Sequence, residues 1–247
     1  AKVGWNAPTR RGVENEADAL EAFPRGDLPL AAPALLHRGA WQDLTLLVTA
    51  PLPGRARRYR PLDRVPDVEI TRAVSGLGTV SRGPLVDSAY VRALGERVAN
   101  EASLQGLLAG VLERAGDLVL EYGAWHGDWV PWNLARHRGR LHVLDWEHWG
   151  REVPLGFDVV HFMFQVAFVA RGRPLEESFA TARRDAPALL ERLGAPSGAA
   201  DAILRLYFAE ITLRAHRAAL EGAFSNPRFY PRALSLAAEP LSSTPRG

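Results

Sequence analysis

The stretch that decides the fold is WHGDWVPWNLARHRGRLHVLDWEHW, residues 125–149. Three of its side chains have oxygen atoms that can hold a divalent cation or a hydroxyl group, and these are Asp128, Asn133 and Asp145. Pro131 interrupts the segment between Asp128 and Asn133, which predicts a loop rather than a helix. An Arg-Gly-Arg turn then joins two short strand-like runs, and we expect this hairpin to bring Asp145 back beside Asn133.

Two carboxylates and an amide at one end of a small sheet suit a particular chemistry. Mg²⁺ prefers hard oxygen ligands, and a carboxylate can orient a hydroxyl group toward a phosphate. The stretch therefore predicts a magnesium site beside a centre for phosphoryl transfer.

The composition excludes several classes of protein. The chain has 247 residues, enough for one large domain or two lobes, and 47% of them are hydrophobic. No apolar run reaches the roughly 20 residues that a membrane helix needs, and no secretory signal is visible. The absence of Cys excludes disulfides, thiolate catalysis and Cys-type zinc sites. We therefore expect a cytoplasmic protein with no membrane partner.

The charged residues give one further indication. The net charge is +2, and the many arginines are scattered rather than clustered, which argues against a nucleic-acid partner. Lys2 is the single lysine among 30 basic residues. A site that needs a compact ammonium group cannot use arginine instead. Lys2 is therefore a candidate functional residue.

The order of the patterns divides the chain into regions. Residues 1–50 alternate like strands around one helix, and the Pro and Gly residues of 51–66 predict a hinge and connector. Residues 67–241 are mostly helical in pattern and include the hairpin, and residues 242–247 are expected to form a disordered tail. The expected fold class is α+β, with a small N-terminal region and a larger helical one.

These motifs together resemble the aminoglycoside phosphotransferase and choline kinase family, whose fold is similar to that of protein kinases. The similar segments extend over nearly the whole chain: His-Gly-Asp-x-x-x-x-Asn at 126–133, Val-Leu-Asp-Trp-Glu at 143–147, Pro-Leu-Gly-Phe-Asp at 154–158 and a hinge-like strand at 46–54. The resemblance implies a protein-kinase-like fold of two lobes, with residues 1–50 as a partial nucleotide-binding lobe. It also implies transfer of the γ-phosphate of ATP or GTP to a hydroxyl group of a small molecule, with Mg²⁺.

The resemblance gives a role to each residue that fits the family pattern. Asp128 is the expected catalytic residue, which accepts the proton of the acceptor hydroxyl group. Asn133 and Asp145 are the expected metal ligands. His126 and Asp158 are expected to support the catalytic loop.

Three further residues are expected at the nucleotide. Lys2 and Glu16 resemble the lysine and helix glutamate that hold the α- and β-phosphates, and Thr49 lies in the hinge-like strand. Thr9 predicts the start of a helix over about residues 10–23. Glu14 remains an alternative to Glu16, because the phase of this helix cannot be fixed to one residue.

Five of the seven tryptophans lie in residues 125–149. A candidate wall, which would stack on a sugar or surround a cationic group, comprises Trp129, Trp132, Trp146, Glu147 and Trp149. Packing in the core is the alternative for each tryptophan, and a surface ion pair is the alternative for Glu147. Several histidines also lie here, but no two have the helical spacing of a zinc site. The acceptor could be an aminoglycoside, a sugar or an amino-alcohol.

Two departures from the family pattern support an alternative function. The strands that precede the lysine in the family are not found before Lys2, and we expect that an upstream segment has been omitted. Trp132 stands where relatives often have Gly. The alternative is a catalytically inactive, kinase-like protein that binds a nucleotide or another ligand. The oligomeric state is not predicted.

Overall fold

The computed structural model describes residues 1–24, 26, 28–60, 64–222 and 229–238. Its N-terminal part contains strand β1 (Lys2–Gly4), helix α1 (Ala7–Ala22) and strands β2 (Leu30–Ala31), β3 (Leu35–Trp41) and β4 (Leu44–Thr49). An antiparallel sheet forms in the order β1-β4-β3, with Lys2 opposite Leu47 of β4. Lys2 is therefore fixed at the start of an edge strand.

Helix α1 begins earlier than the sequence pattern predicted. Asn6 is its N-cap: the Asn6 side chain accepts from the backbone N–H of Thr9, and the Thr9 hydroxyl accepts from the backbone N–H of Asn6. This is a capping box, with Pro8 in the first turn. Val13 and Ala17 then pack against Leu47, and the same face of the helix buries Glu16. The phase of α1 therefore buries Glu16 and leaves Glu14 exposed.

The remaining chain is mainly helical. Its helices are α2 (Val68–Ser75), α3 (Ala89–Arg97), α4 (Ala102–Ala115), α5 (Phe157–Gln165, continued by one π-helical turn), α6 (Leu175–Arg192), α7 (Ala199–Leu220) and α8 (Phe229–Ala238). Aromatic rings fill the core between α5, α6 and α7, and those of Phe179 and Phe208 are stacked with centroids 3.9 Å apart. Burial of each such ring contributes roughly 1.5–3 kcal/mol to stability.

Two further sheets carry the functional loops. One has the order β10-β7-β6 and comprises β6 (Ser81–Pro84), β7 (Val119–Trp125) and β10 (Gly150–Pro154). The other has the order β2-β9-β8-β5 and comprises β2 with β5 (Arg57–Arg58), β8 (Leu134–His137) and β9 (Arg140–Val143). Strands β8 and β9 form the predicted hairpin, and both residues of its tight turn, Arg138 and Gly139, have positive φ.

Two short strands cross the boundaries that the sequence suggested. Strand β2, within residues 1–50, pairs in parallel with β9, and β5, within residues 51–66, pairs with β8. The connector thus supplies an edge strand to the hairpin sheet. The predicted tail, residues 242–247, lies outside the described residues, as do residues 239–241. No helix in the described ranges combines the length and the apolar character needed to cross a membrane.

Candidate active site

The candidate catalytic loop, residues 126–133, follows directly from β7, and its sharp turn depends on glycine. Gly127 has a φ of +80°, and a Cβ atom there would lie 2.1 Å from the carbonyl oxygen of His148. Any other residue would combine an unfavourable backbone conformation with a steric clash. The loop can therefore approach the segment after Asp145 only because glycine occupies this position.

Asp158, at the first turn of α5, supports the loop from below. Its Oδ2 accepts from the backbone N–H of His126 at 2.9 Å, and its Oδ1 accepts from that of Gly127 at 3.1 Å. Burial raises the pKa of Asp158 to about 7, although these two N–H groups and Arg214 act in the opposite direction. Arg214 also donates to the carbonyl oxygen of Gly127 at 2.7 Å. The backbone of the loop is thus held at both its N–H and its C=O groups.

His126 connects the loop to the strand that leads to Asp145. Its Nδ1 accepts from the backbone N–H of Asp128 at 3.2 Å, so its Nε2 carries the proton and donates to the carbonyl oxygen of Leu144 at 2.9 Å. Burial lowers the pKa of His126 to about 4, which keeps the ring neutral. The predicted supporting residues, His126 and Asp158, therefore both contact the loop.

Asp128 is held at both carboxylate oxygens. Oδ2 accepts from the Asn133 side-chain amide at 2.8 Å, and Oδ1 lies 3.0 Å from Nε2 of His161. Burial alone would raise the pKa of Asp128, but the hydrogen bond from His161 holds it well below its usual value. With 27% of its side chain exposed, Asp128 is an ionised carboxylate that a ligand can reach.

His161 is the centre of a buried hydrogen-bonded chain. An ionised carboxylate only accepts, so Nε2 of His161 donates to Asp128, and Nδ1 then accepts from the Tyr207 hydroxyl at 3.0 Å. The His161 side chain is 1% exposed, and burial lowers its pKa despite the nearby carboxylate. Helices α5 and α7 thus fix the orientation of Asp128.

Lys2 joins three acidic residues from distant parts of the chain. Its ammonium group lies 2.5 Å from Oε2 of Glu16 and 3.2 Å from Oε2 of Glu147, and it also contacts Oδ1 of Asp145. Burial would lower the pKa of Lys2, but the interactions with Asp145 and Glu16 raise it overall. The pKa of Glu16 is raised by burial, and Lys2 acts against this rise. A single cation therefore keeps these carboxylates together.

The side chains around Asp145 have the donor types that Mg²⁺ prefers. Carboxylate oxygens of Glu16, Asp145 and Glu147 lie within 4.8 Å of one another. The amide nitrogen of Asn133 donates to Asp128, which leaves its carbonyl oxygen as the atom available for a metal. Asp145 has a φ of +66° at the end of the hairpin. Asparagine and carboxylate oxygens are hard ligands, so this set fits Mg²⁺.

Helix α1 is also bonded to the segment that follows Asp145. The Asn15 amide donates to the carbonyl oxygens of Glu147 at 2.8 Å and Trp149 at 2.9 Å. Thr49 lies at the end of β4, two residues beyond the one opposite Lys2. At about 3.4 Å per residue this is a separation of roughly 7 Å along the sheet.

The structure corrects the interpretation of two tryptophans as a substrate wall. Trp129 and Trp146 are 0% and 1% exposed and belong to the hydrophobic core around β8, β9 and α5. A ligand cannot stack on them, because their surfaces are covered by apolar side chains. Trp149 is nearly buried, with the Arg151 guanidinium 4.6 Å from its ring centre. Trp132, with 38% of its surface exposed, is the member of the set most open to solvent.

A cavity of about 380 Å³ adjoins the site at Glu147, His148 and Trp149. Arg214, which holds Gly127, also lines it, so the cavity borders the catalytic loop. Its charged lining residues are of both signs: Arg97, Glu147, Glu152, Arg151, Glu210 and Arg214. Arg97 and Glu210 already pair with each other at 2.6 Å. The cavity is therefore polar without a strong net charge.

Three residues of the site, His161, Asn15 and Arg214, were not predicted from the sequence. His161 could have been found, because it lies three residues after Asp158 and so faces the same side of α5. Asn15 and Arg214 have no comparable signal, since their partners are backbone carbonyl groups far away in the sequence.

Comparisons with known proteins agree with this architecture. No protein-family model and no curated protein matches the chain. Among solved structures, a thermostable mutant of aminoglycoside phosphotransferase APH(4)-Ia, in a ternary complex with AMP-PNP and hygromycin B, has 17% identity and a TM-score of 0.61, over 98% of this chain and 86% of that one. Choline kinase LicA from Streptococcus pneumoniae has 16% identity and a TM-score of 0.54, over 96% and 85%. The chain thus has the two-lobed, protein-kinase-like α+β fold, and the resemblance to the aminoglycoside phosphotransferase and choline kinase family is confirmed at the level of the fold.

Proposed function

We propose that this protein is an ATP-dependent phosphotransferase that transfers the γ-phosphate to a hydroxyl group of a small molecule. The observation that carries the proposal is the convergence of two sets of residues, the Asp128–Asn133 loop and the cluster of Lys2, Glu16 and Asp145. The backbone N–H of Leu144, beside Asp145, donates to the carbonyl oxygen of Asn133 at 2.9 Å and joins the two sets. The similar solved structures support it, since they include an aminoglycoside phosphotransferase bound to AMP-PNP and hygromycin B and a choline kinase bound to AMP.

Asp128 is the proposed general base. Its carboxylate accepts a hydrogen bond from the acceptor hydroxyl group and would take the proton as the hydroxyl oxygen bonds to the γ-phosphorus, the bond from that phosphorus to the bridging oxygen breaks and ADP leaves. The hydrogen bonds from His161 and Asn133 hold the carboxylate in one orientation. Because phosphoryl transfer needs little covalent help from a protein, this positioning is the main contribution of the loop.

Asn133 and the cluster around Lys2 would hold the metal and the nucleotide. Asn133 and Asp145 are the proposed ligands of Mg²⁺, and Lys2, positioned by Glu16, would neutralise phosphate charge. Thr49 would contact the nucleotide from the hinge-like strand. When bound, Mg²⁺–ATP supplies the phosphoryl group and part of the charge neutralisation on it. GTP is the alternative nucleotide.

The cavity of about 380 Å³ beside Glu147 and Trp149 is the proposed position of the acceptor. Both residues remain candidates for contact with the substrate, whereas Trp129 and Trp146 do not. The mixed charges of the cavity suit a polar, hydroxyl-rich molecule such as a sugar or an amino-alcohol. We propose no nucleic-acid and no membrane partner.

The test is phosphate transfer from Mg²⁺–ATP, measured against a panel of sugars, amino-alcohols and aminoglycosides. Asp128→Asn keeps the shape of the side chain but removes the base, so we expect transfer to fall by about 10²–10⁴-fold. Asp185→Asn on α6 removes the same charge at an exposed position and should have no effect. Binding of Mg²⁺–ATP without any transfer would support the catalytically inactive alternative, and no binding at all would contradict both.

A further inference from the structure

A second cavity, of about 1280 Å³, opens beside the catalytic loop, where Pro131 and Trp132 line it. The other lining residues come from the connector and from β8: Ala56, Arg57, Arg58, Tyr59, Arg60, Arg64 and Arg136. All five arginines are exposed, and none of the described residues that line the cavity is acidic. The described lining of the cavity is thus strongly positive, next to the proposed metal ligand Asn133.

Two of these arginines are placed unfavourably for the sheet itself. In the pairing of β5 with β8, Arg57 lies directly opposite Arg136. Like charges in directly opposite positions destabilise a pair of strands. Neither residue has a described ion-pair partner that would compensate. An anion bound between the two side chains would remove this repulsion.

The positive surface is fixed to the catalytic loop. The backbone N–H of Tyr59 donates to the carbonyl oxygen of Leu134 at 2.9 Å, and Leu134 directly follows Asn133. The Tyr59 hydroxyl donates to the carbonyl oxygen of Arg64 at 2.9 Å, and the Arg136 guanidinium lies 5.5 Å from the Tyr59 ring centre. The arginines are therefore held close to the residues that would perform the reaction.

We propose that this cavity binds a phosphate or carboxylate group of a small molecule that occupies the active site. Guanidinium groups bind both anions through paired N–H donors, and the ring of Trp132 offers an apolar face beside them. The anion could belong to the acceptor or to the nucleotide. The link to the acceptor rests on the proposed function, whereas anion binding itself does not.

The test measures binding to the full chain by calorimetry at low salt. The ligands are glucose 6-phosphate, glucose and Mg²⁺–ATP, and the double variant Arg57→Gln with Arg136→Gln is compared with the control Arg114→Gln, an exposed residue of α4. We expect glucose to bind more weakly than glucose 6-phosphate, and an anion to bind the double variant about ten-fold more weakly than the wild type. The control should behave as wild type, and affinity for the anion should fall with added salt.

The pattern of losses identifies the source of the anion. If the double variant binds only glucose 6-phosphate more weakly than the wild type does, the anion in the cavity belongs to the acceptor. If it binds only Mg²⁺–ATP more weakly, the anion belongs to the nucleotide. The proposal is overturned if neither affinity changes. Circular dichroism would verify folding of the double variant, and Arg57→Gln alone serves if it is unfolded. Because binding is measured without turnover, a protein that transfers no phosphate would contradict the proposed function and leave this proposal intact.

Discussion

His161 donates a hydrogen bond from Nε2 to Oδ1 of Asp128 at 3.0 Å, and the packing of α5 against α7 withdraws the His161 ring from bulk water. This contact places a buried, neutral imidazole behind the carboxylate that faces the proposed acceptor. The orientation of Asp128 therefore depends on a residue that does not itself reach the substrate.

Replacement of His161 tests this positioning role. We expect His161→Phe to lower kcat by about 10–100-fold, because a hydrogen bond to a charged group is worth roughly 1.5–3 kcal/mol, with little change in the KM for ATP. Asn at this position can still donate and should restore part of the rate. Steady-state kinetics of both variants are compared with the exposed control His37→Gln. An equal loss of activity in His161→Asn and His161→Phe would argue against the role.

Gly127 provides a test of the loop geometry. Gly127→Ala places a Cβ atom 2.1 Å from the His148 carbonyl oxygen at a φ of +80°, so we expect a loss of roughly 2–4 kcal/mol in the free energy of unfolding. Gly139→Ala is the matched control, since it has the same φ and no atom within 4 Å of the added Cβ. It should cost about 1 kcal/mol. Urea denaturation measures both, and similar losses would show that the close approach is unimportant.

Glu14 and Glu16, both on α1, should differ sharply in their effect on activity. Glu16→Gln weakens the interaction that positions Lys2, so we expect kcat/KM for ATP to fall by at least about 10-fold. Glu14→Gln removes the same charge from an exposed position two residues away and should leave kcat/KM for ATP unchanged. Comparison of the two variants in the same transfer assay measures the difference. Equal effects would contradict the assignment of Glu16.

The buried imidazole of His126 predicts a dependence of stability on pH. Its pKa is about 4 in the folded protein and about 6.5 when unfolded. Because the unfolded chain binds the extra proton first, the stability that His126 contributes is fully present above pH 6.5 and is lost as the pH falls toward 4. The loss amounts to about 3 kcal/mol at most.

Asp158 has the opposite effect on stability in part of this range. Its raised pKa makes the folded protein bind protons more strongly than the unfolded chain between about pH 4 and 7, so its contribution to stability falls as the pH rises. The quantity to measure is therefore the difference between wild type and His126→Gln. Urea denaturation at pH 4.5, 5.5 and 6.5 should give a less steep gain of stability with pH in the variant. Parallel curves for the two proteins would exclude the proposed effect of His126.

The sequence was sufficient for those features that depend on local patterns. The hairpin follows from its turn residues, and the approach of Asp128 to Asn133 follows from a loop of five residues. Helix α1 was predicted, but its start was displaced by three residues because the capping box begins at Asn6 rather than Thr9. Local hydrogen bonds at a helix end compete closely, so such boundaries are hard to place.

Features that depend on packing were less accessible. Five tryptophans close together in sequence looked like one surface, yet Trp129 and Trp146 face the core while Trp132 is open to solvent. Successive side chains along a loop point in directions that follow no regular period, so the sequence does not show which of the tryptophans face the core. The pairing of β2 with β9 joins segments that are more than a hundred positions apart, and β2, with two residues, is too short to have a recognisable strand pattern.

That pairing has a consequence for any attempt to divide the protein. Any cut in the connector would separate β2 from β9 and break the bonds from Asn15 to Glu147 and Trp149, and a cut after β5 would also separate β5 from β8. Each fragment would then expose unpaired backbone groups on a sheet edge, which promotes association with other chains. The two regions should therefore be expressed as one polypeptide, and separately produced halves are expected to aggregate.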